Sequence, residues 1–340
     1  MPNLMNEFTL KNMTIKNRVM MSPMCQFSAI EKDGMPTDWH LHHYTSRAIG
    51  GVGIVMVEMT NIEERGRVTD YCLGIWSDEH RDAFKPIVEQ AHTYGAKIGI
   101  QIAHAGRKAE NEPQLVAPSA IAFDDTYKTP KELTIIEIKE LVQKFKEAAI
   151  RATEAGFDLI ELHGAHGYLI HQFLSPYTNK RSDEYGKDRT LFGVEVIKAI
   201  KSVIPYDMPL LLRISGMEYV NGGYDIDEAV RFSKIFKEAG VDAFDVSSGG
   251  EGPIDPAGKP GTHGGYQVPL ARRIKKELQV PVIAVGRLEN AVLANAVIGN
   301  HEADIVAIGR GLLANPYWTL QAASQLKLDN VVPPQYITAF

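Results

Sequence analysis

Two histidines followed by a tyrosine form the most chemically suggestive segment of the sequence. His163, His166 and Tyr168 lie close together among glycine and alanine residues. Imidazole N–H groups can hold a substrate carbonyl oxygen while negative charge develops on it, and a nearby phenol can supply a proton. This chemistry suits the reduction of an α,β-unsaturated carbonyl compound. The alternatives are histidines that only bond to backbone at the end of a strand, or a zinc site, which would need additional ligands.

A second polar segment contains an amide, a histidine and two cations. It runs from Gln101 through His104 to Arg107 and Lys108. An amide side chain can recognise the donor and acceptor edge of a planar heterocycle, and a cation can stabilise a reduced, anionic flavin ring. The segment therefore indicates a cofactor site, with solvated surface positions as the alternative for Arg107 and Lys108.

Three further positions indicate a phosphorylated ligand. Arg213 interrupts an apolar run, where a guanidinium is costly unless a carboxylate, a phosphate or a cofactor satisfies it. We favour a ligand over a structural ion pair. Gly286 and Gly309-Arg310 follow the last two apolar runs, the usual place for a phosphate in an α/β barrel. Because neither a Rossmann glycine motif after a strand nor a Walker loop occurs, a barrel-bound mononucleotide is the better hypothesis.

Eight short apolar runs must position these residues. They occupy 19–21, 53–57, 97–102, 157–162, 209–214, 243–246, 281–285 and 304–308. Runs that are apolar on both faces are typical of parallel strands buried between a barrel interior and an outer layer of helices. Between the third and fourth runs, the capping-box residues Thr134 and Glu137 begin a crossover helix that stops at Gly156.

The predicted fold is α/β, a (β/α)8 TIM barrel that forms a single domain over residues 1–340. The segment 154–158 is echoed by 238–242, each with a glycine that ends a helix before a strand, which favours repeated βα units. Longer segments at 111–131, 175–189 and 249–265 are predicted loop insertions at the C-terminal mouth, where such barrels carry their active sites.

Composition excludes several other classes of protein. The chain is 44% hydrophobic and 23% charged, as globular proteins are, and its net charge is −6. With this charge and no basic block it is not expected to bind nucleic acid. It has no membrane-length apolar segment and no export signal, so we expect a cytoplasmic protein.

The two cysteines, Cys25 and Cys72, predict neither a disulfide nor a metal site, although either is a candidate reactive thiol.

Four motifs together resemble the old yellow enzyme family. They are Ser22-Pro-Met-Cys25, Ala103-His-Ala-Gly-Arg-Lys108, His163-Gly-Ala-His-Gly-Tyr168 and Gly309-Arg310. The resemblance spans nearly the whole chain. It is strongest to bacterial NADPH dehydrogenases of the short-loop, thermophilic-like branch, which place a cysteine after Ser-Pro-Met.

The resemblance implies an FMN-dependent NADPH dehydrogenase that acts as an ene-reductase. Its substrates would be α,β-unsaturated aldehydes, ketones, nitro compounds or maleimides. NADPH would reduce tightly bound FMN and leave, and hydride would then pass to the substrate in a ping-pong cycle. The chain would assemble with copies of itself into a homodimer or homotetramer.

The resemblance also assigns roles to individual residues. His163 and His166 would hold the substrate oxygen, and Tyr168 would donate the proton. Lys108 would lie near the pyrimidine edge of the flavin, and Cys25 would tune the flavin potential. The residues expected to bind FMN are Ser22, Pro23, Met24, Cys25, Met59, Gln101, Arg213, Gly286, Gly309 and Arg310. Those expected to bind substrate are Phe27, Lys108, His163, His166 and Tyr168.

Two positions depart from the pattern of this branch. Phe27 stands where close relatives often carry a tyrosine, so weaker binding of phenolic ligands is expected. The segment 333–340 contains no arginine, whereas relatives commonly place one there that reaches into a neighbouring subunit's site. We therefore do not expect that intersubunit contact.

Two other functions would explain part of the sequence. A phosphosugar aldolase or isomerase could use Lys108 as a Schiff-base amine, but this leaves Cys25, Gln101 and the two histidines unexplained. A flavin-binding redox sensor would use oxidation of Cys25 to change an interaction surface. A yellow protein would exclude the aldolase, and turnover of an enone would exclude a purely sensory role.

Overall fold

The computed structural model describes residues 1–110, 113–254 and 260–340. Its strands are β1 (Phe8–Leu10), β2 (Met13–Ile15), β3 (Val19–Met21), β4 (Ile54–Asn61), β5 (Leu73–Gly74), β6 (Lys97–Ala103), β7 (Val116–Ala117), β8 (Lys131–Glu132), β9 (Leu159–Gly164), β10 (Leu210–Ser215), β11 (Ala243–Ser247), β12 (Val282–Ala284) and β13 (Ile305–Ile308). Its helices are α1 (Asp38–Ile49), α2 (Asp78–Thr93), α3 (Ile135–Ala155), α4 (Leu169–Leu174), α5 (Glu184–Lys187), α6 (Leu191–Lys201), α7 (Ile226–Ala239), α8 (Val268–Leu278), α9 (Ala291–Gly299), α10 (Arg310–Ala314) and α11 (Trp318–Leu326). Residues 111–112 and 255–259, which belong to two of the predicted insertions, lie outside the described residues.

Eight parallel strands close into a barrel within these described ranges. The order is β3, β13, β12, β11, β10, β9, β6 and β4, and β3 pairs with β4 to complete the ring. Each strand contains most of one of the eight predicted runs, so the predicted (β/α)8 fold is confirmed. The bounds differ most at β4, which continues to Asn61, and at β9, which begins at Leu159.

The extension of β4 has a local cause. The short strand β5 adds to the end of β4 and pairs with its last two residues, Thr60 and Asn61. A register shift between Val57 and Met59 precedes this pairing, and such a bulge bends a strand and redirects its side chains. The two residues of β5 form no apolar run, so no pattern in the sequence predicts this strand.

The amino-terminal hairpin closes the opposite end of the barrel. Strands β1 and β2 pair in antiparallel fashion. Their residues Leu10, Met13 and Ile15 are buried in one cluster with side chains of the barrel interior, including Leu159 and Ile305. Because this end is filled with apolar side chains, a polar ligand can enter only from the carboxyl ends of the strands.

Helix α3 shows how the outer layer is fixed. The Glu137 amide donates to Thr134 Oγ1 at 3.2 Å, and the Thr134 amide donates to Glu137 Oε2 at 2.9 Å, which closes the predicted capping box. Gly156 ends the helix with φ +94°, a left-handed conformation that favours glycine. The predicted start and end of this helix are therefore confirmed. None of the described helices combines enough length and apolar character to cross a membrane.

Thr134→Ala is expected to lower the free energy of unfolding by about 1 kcal/mol, because it removes the acceptor for an amide at the start of α3. Urea unfolding followed by circular dichroism measures the change. Thr134→Ser keeps the hydroxyl and should remain close to the wild-type value. An equal loss in both variants would contradict the role of the cap.

Candidate active site

A cavity of about 360 Å³ opens at the carboxyl ends of the barrel strands. This volume falls within the range of small-molecule sites. The predicted residues that line it are Ser22, Pro23, Met24, Cys25, Met59, Gln101, His163, His166, Tyr168, Arg213, Gly286, Gly309 and Arg310. Lining residues without a predicted role are Ser247, Ser248, Tyr266, Gln267, Val285, Arg287, Glu289 and Ala307. The barrel thus brings together residues that are separated by most of the chain.

Burial keeps the two histidines of the site neutral. The His163 and His166 rings lie 5.1 Å apart and nearly perpendicular. The pKa of each imidazole falls well below its usual value because burial disfavours the charged form, and the positive charge of Arg213 lowers both pKa values further. A neutral imidazole carries one proton, so the hydrogen bond accepted by one nitrogen places the proton on the other.

The surrounding hydrogen bonds assign the proton of each ring. His163 Nδ1 accepts a bond from the Ala165 amide at 3.3 Å, so the proton resides on Nε2. His166 Nε2 lies 2.8 Å from Ser247 Oγ, and when this hydroxyl donates, the proton of His166 resides on Nδ1. The pair then presents two uncharged N–H donors, which is the arrangement that a carbonyl oxygen requires.

Tyr168 lies beside the histidines with its phenol protonated. Its ring packs edge-on against His163, with the ring centres 4.7 Å apart. Burial raises the pKa of the Tyr168 hydroxyl far above its usual value. The phenol therefore does not ionise near neutral pH, and it remains available to give a proton to a strongly basic centre.

Lys108 lies behind the histidine segment and is not part of the cavity lining. Its ammonium donates to the backbone oxygens of His166 at 3.0 Å and Gly250 at 3.2 Å, and it lies 4.4 Å from the ring centre of Phe123. Burial lowers the pKa of this ammonium. An amine held in this way does not face a substrate carbonyl, which disfavours the aldolase. Contact of Lys108 with the substrate or the flavin stays a prediction.

A buried polar network also contacts the segment that follows His166. Arg107 is 1% exposed and pairs with Glu251 at 3.1 Å, so a solvated surface position is wrong for this residue. His171 lies 3.0 Å from Glu218 and 3.3 Å from Glu251, and its Nδ1 accepts a bond from the Gly167 amide at 2.8 Å. The network therefore ties the backbone that follows His166 to the loop beyond β11.

Gly250 allows that loop to approach the histidine segment closely. Its φ is +97°, and a Cβ at this position would lie 2.4 Å from the Cα of His166. Neither the backbone conformation nor the available space tolerates a side chain. The loop and the segment of the two histidines are thus packed backbone against backbone.

Polar residues form the floor of the cavity. Gln101 Nε2 donates to Glu161 Oε1 at 2.8 Å, and Arg213 Nε lies 3.4 Å from Asp245 Oδ2. These residues stand on the adjacent strands β6, β9, β10 and β11. Burial raises the pKa of Glu161 to about 8 and also raises that of Asp245. The guanidinium of Arg213 thus has a carboxyl group beside it and also lines the cavity. Its role in binding a ligand stays a prediction.

The cavity fits FMN in polarity and in shape. The Arg213 guanidinium lines the cavity, and its Nε, although 3.4 Å from Asp245 Oδ2, has no hydrogen-bond partner among the described residues. An added Cβ at Gly309 would lie 3.4 Å from Met24 Sδ and 4.0 Å from Ser22 Cβ, so the missing side chain leaves room along this wall. Arg287 and Arg310 follow the adjacent strands β12 and β13 and supply the positive charge that a phosphate needs.

Phe27 and the carboxyl-terminal segment lie away from the cavity lining. The Phe27 side chain is 48% exposed, and its φ of +50° is uncommon for an aromatic residue. Its contact with substrate stays a prediction. In the segment 333–340, which lacks arginine, Tyr336 packs against Tyr317 of the same chain, with the two hydroxyls 3.2 Å apart.

Ser247 and Gln267 are candidate site residues that had no predicted role. Ser247 ends β11, so the rule that strand ends supply the site was sufficient to find it. Gln267 accepts a bond from Ser248 Oγ at 2.7 Å and donates to the Val285 oxygen at 3.2 Å. It lies just before α8, at the end of a loop, and no local sequence pattern indicates its position.

Comparison with known proteins gives one family and full-length relatives. The model of the NADH:flavin oxidoreductase / NADH oxidase family matches residues 3–329. An NADPH dehydrogenase of Bacillus subtilis (strain 168) is 48% identical over 336 residues, which cover 98% of this chain and 98% of that protein. The match therefore includes every barrel strand of the described structure.

Solved structures share the fold at lower identity. Morphinone reductase in complex with tetrahydroNAD is 27% identical with a TM-score of 0.82, over 98% of this chain and 93% of that protein. An old yellow enzyme homologue from Zymomonas mobilis is 27% identical with a TM-score of 0.81, over 97% of this chain and 94% of that protein.

Arg107→Ala is expected to lower the free energy of unfolding by about 3–5 kcal/mol, because it leaves Glu251 buried without its charged partner. Arg273→Ala is the matched control: its ion pair with Asp227 at 3.0 Å is exposed, so the loss should be less than about 1 kcal/mol. Urea unfolding of both variants measures the difference. Equally small losses would contradict a structural role for the Arg107–Glu251 pair.

Proposed function

The chain belongs to the NADH:flavin oxidoreductase / NADH oxidase family, and from this premise we propose that it reduces the C=C bond of α,β-unsaturated carbonyl compounds. It is an FMN-dependent NADPH dehydrogenase of the old yellow enzyme type. The observation that carries the substrate proposal is the pair of neutral imidazoles, His163 and His166, beside the protonated phenol of Tyr168.

The cavity residues divide into three groups around the cofactor. Gln101 and Arg213, on the floor, would hold the polar edge of the flavin ring, and Gly286, Gly309 and Arg310 would surround the phosphate. The remaining walls would come from Ser22, Pro23, Met24, Cys25 and Met59. When bound, FMN supplies hydride transfer between NADPH and a second substrate.

The histidine pair would bind the oxygen of the second substrate. As the C=C bond is reduced, negative charge develops on the conjugated oxygen, and the His163 Nε2–H and His166 Nδ1–H donors would stabilise it. Because both imidazoles are neutral, they can donate these hydrogen bonds without transferring a proton to the substrate. Aldehydes, ketones, nitro compounds and maleimides all offer such an oxygen, so we propose the whole class as substrates.

Tyr168 would protonate the substrate carbon next to the carbonyl group. A phenol with a strongly raised pKa gives up its proton only to a basic centre, and such a centre forms on that carbon during reduction. NADPH and the unsaturated compound would use the cavity in turn, in a ping-pong cycle. The complex of morphinone reductase with tetrahydroNAD supports binding of a nicotinamide in a barrel of this fold.

Tyr168→Phe is expected to slow reoxidation of the NADPH-reduced enzyme by 2-cyclohexen-1-one by about 10²–10⁴-fold, because the proton donor is lost. Reduction by NADPH should be nearly unchanged, since that step needs no proton from Tyr168. Anaerobic stopped-flow absorbance measures the two half-reactions separately.

Tyr206→Phe serves as the control for this variant. Tyr206 is 89% exposed and is not among the residues that line the cavity, so both half-reactions should keep their wild-type rates. An equal slowing of both half-reactions in Tyr168→Phe would contradict the role of Tyr168 as proton donor.

Ser247→Ala is expected to weaken binding of a phenol by about 1 kcal/mol, roughly fivefold in Kd, because His166 loses the bond that fixes its proton on Nδ1. Titration of the visible flavin band with the phenol measures the affinity. Ser202→Ala, at the end of α6, should bind as the wild type does. Unchanged affinity in Ser247→Ala would contradict the proton assignment of His166.

A further inference from the structure

Glu58 is the extra residue of the bulge in β4. Val57 pairs with Ile100 of β6 and Met59 pairs with Gln101, so Glu58 stands between them without a partner in the described ladder. A residue in this position bends its strand and redirects the side chains that follow it. Nothing in the proposed reaction uses the carboxyl group of Glu58.

The bulge exchanges the two faces of β4. Met56 belongs to the cluster that fills the barrel interior, whereas Val57 packs in the cluster that joins the strands to the outer helices. Strict alternation would therefore place Glu58 inside the barrel and Met59 outside it. Met59 instead lines the cavity, and Glu58 points outward to Tyr44 of helix α1.

Helix α1 satisfies the groups that the bulge leaves free. The Glu58 amide donates to the Tyr44 hydroxyl at 3.0 Å, and this hydroxyl donates to Glu58 Oε1 at 3.0 Å. His40 lies one turn earlier on α1, with its Nε2 3.5 Å from the same carboxyl oxygen. All three side chains are buried. The carboxyl group of Glu58 is therefore held in one orientation.

The second oxygen of this carboxyl group reaches the segment that forms the cavity wall. Glu58 Oε2 accepts a bond from the Gln26 amide at 2.7 Å, and Gln26 directly follows Cys25, which lines the cavity. The Gln26 side chain adds two bonds. Its Nε2 donates to the Met24 oxygen at 2.8 Å, and its Oε1 accepts from Trp39 Nε1 of α1 at 3.2 Å. The cysteine segment is thus anchored at the residue after the cysteine.

The chain adopts an uncommon conformation next to this anchor. Phe27 has a φ of +50°, a left-handed value that a bulky residue keeps only where its surroundings hold it. On the other side of the cysteine, the Ser22 amide donates to the Ile308 oxygen at 3.0 Å. Residues 23–25 line the cavity between these two fixed points.

The carboxyl group can anchor the segment whether or not it carries a proton. Burial raises the pKa of Glu58 to about 8, so the group is mostly protonated near neutral pH. A protonated carboxyl group still offers a carbonyl oxygen to the Gln26 amide. A glutamine side chain has the same size and offers a carbonyl oxygen as well, so Glu58→Gln should keep the anchor.

We propose that Glu58 is a positioning residue of the active site, because its bond to the Gln26 amide sets the place of the Cys25 sulfur in the cavity wall. The bulge in β4 turns Glu58 toward this segment, and α1 fixes its orientation. The effect on the cofactor rests on the proposed function, in which Cys25 lies against FMN. The placement of the sulfur itself does not rest on it.

The rate at which iodoacetamide alkylates Cys25 in the native protein, read by peptide mass spectrometry, tests this placement. Glu58→Leu removes the acceptor, so the segment should open more often. Alkylation should then be about five- to tenfold faster, which is the factor that one hydrogen bond supplies. Glu58→Gln should stay close to the wild-type rate. A wild-type rate in Glu58→Leu, or equal acceleration in both variants, would overturn the proposal.

Asp304→Leu is the matched control. Asp304 Oδ2 accepts a bond from the Val282 amide at 3.0 Å, so this variant also removes a carboxyl acceptor from a backbone amide. Asp304 directly precedes β13, at the amino-terminal end of the barrel and away from the cavity. Alkylation of Cys25 should therefore keep the wild-type rate. A rate as high as in Glu58→Leu would mean that general loss of stability exposes Cys25, and would overturn the proposal.

The wild-type protein supplies a test that does not depend on the folding of Glu58→Leu. Its Gln26 amide is bonded to a buried carboxyl group, so it should be protected from hydrogen exchange, as NMR of the labelled protein measures. Glu58→Gln should keep this protection. Exchange of the wild-type Gln26 amide at the rate of an unstructured peptide would overturn the proposal.

The midpoint potential of bound FMN shows whether Glu58 acts through Cys25. Glu58→Leu should shift the potential when Cys25 is present and leave it unchanged in Cys25→Ala, because the displaced sulfur is then absent. Equal shifts in the two backgrounds would overturn the proposal. Alkylation of Cys25 needs no flavin, and neither readout needs an enone. A protein that binds no FMN or reduces no enone would therefore contradict the proposed function alone.

Discussion

Parallel closure of the barrel is the constraint on which the site depends. Because every barrel strand runs in the same direction, all their carboxyl ends meet at one mouth. The amino-terminal hairpin fills the other end with Leu10, Met13 and Ile15, so the polar cavity opens at the mouth. Residues as distant in sequence as Ser22 and Arg310 thereby line one cavity.

Burial then sets the chemistry of the residues gathered there. It lowers the pKa values of His163 and His166 and raises that of Tyr168, so three groups that could carry charge are neutral donors near neutral pH. Removing these groups from water is costly, and fixed hydrogen bonds offset part of that cost. The Arg107–Glu251 pair and the Lys108 contacts hold the backbone around them, which keeps the donors oriented without a bound ligand.

Local patterns predicted the barrel and most of the cavity. Buried parallel strands appear in the sequence as continuous apolar runs, and most site residues come directly after these runs. The same rule extends to Ser247, at the end of β11. It fails for β5, whose two residues carry no periodicity. It also fails for Arg107 and Lys108. Their partners come from distant segments of the chain, so no local pattern tells whether such a cation is solvated or buried.

The most direct test of the account is an anaerobic titration of the purified protein followed by visible absorbance. NADPH should bleach the band of the bound flavin, and 2-cyclohexen-1-one should then restore it. Together these changes would show the cofactor, the reductant and the reduction of a C=C bond in one experiment. A protein that takes up no FMN, or a bleached band that the enone does not restore, would contradict the central claim.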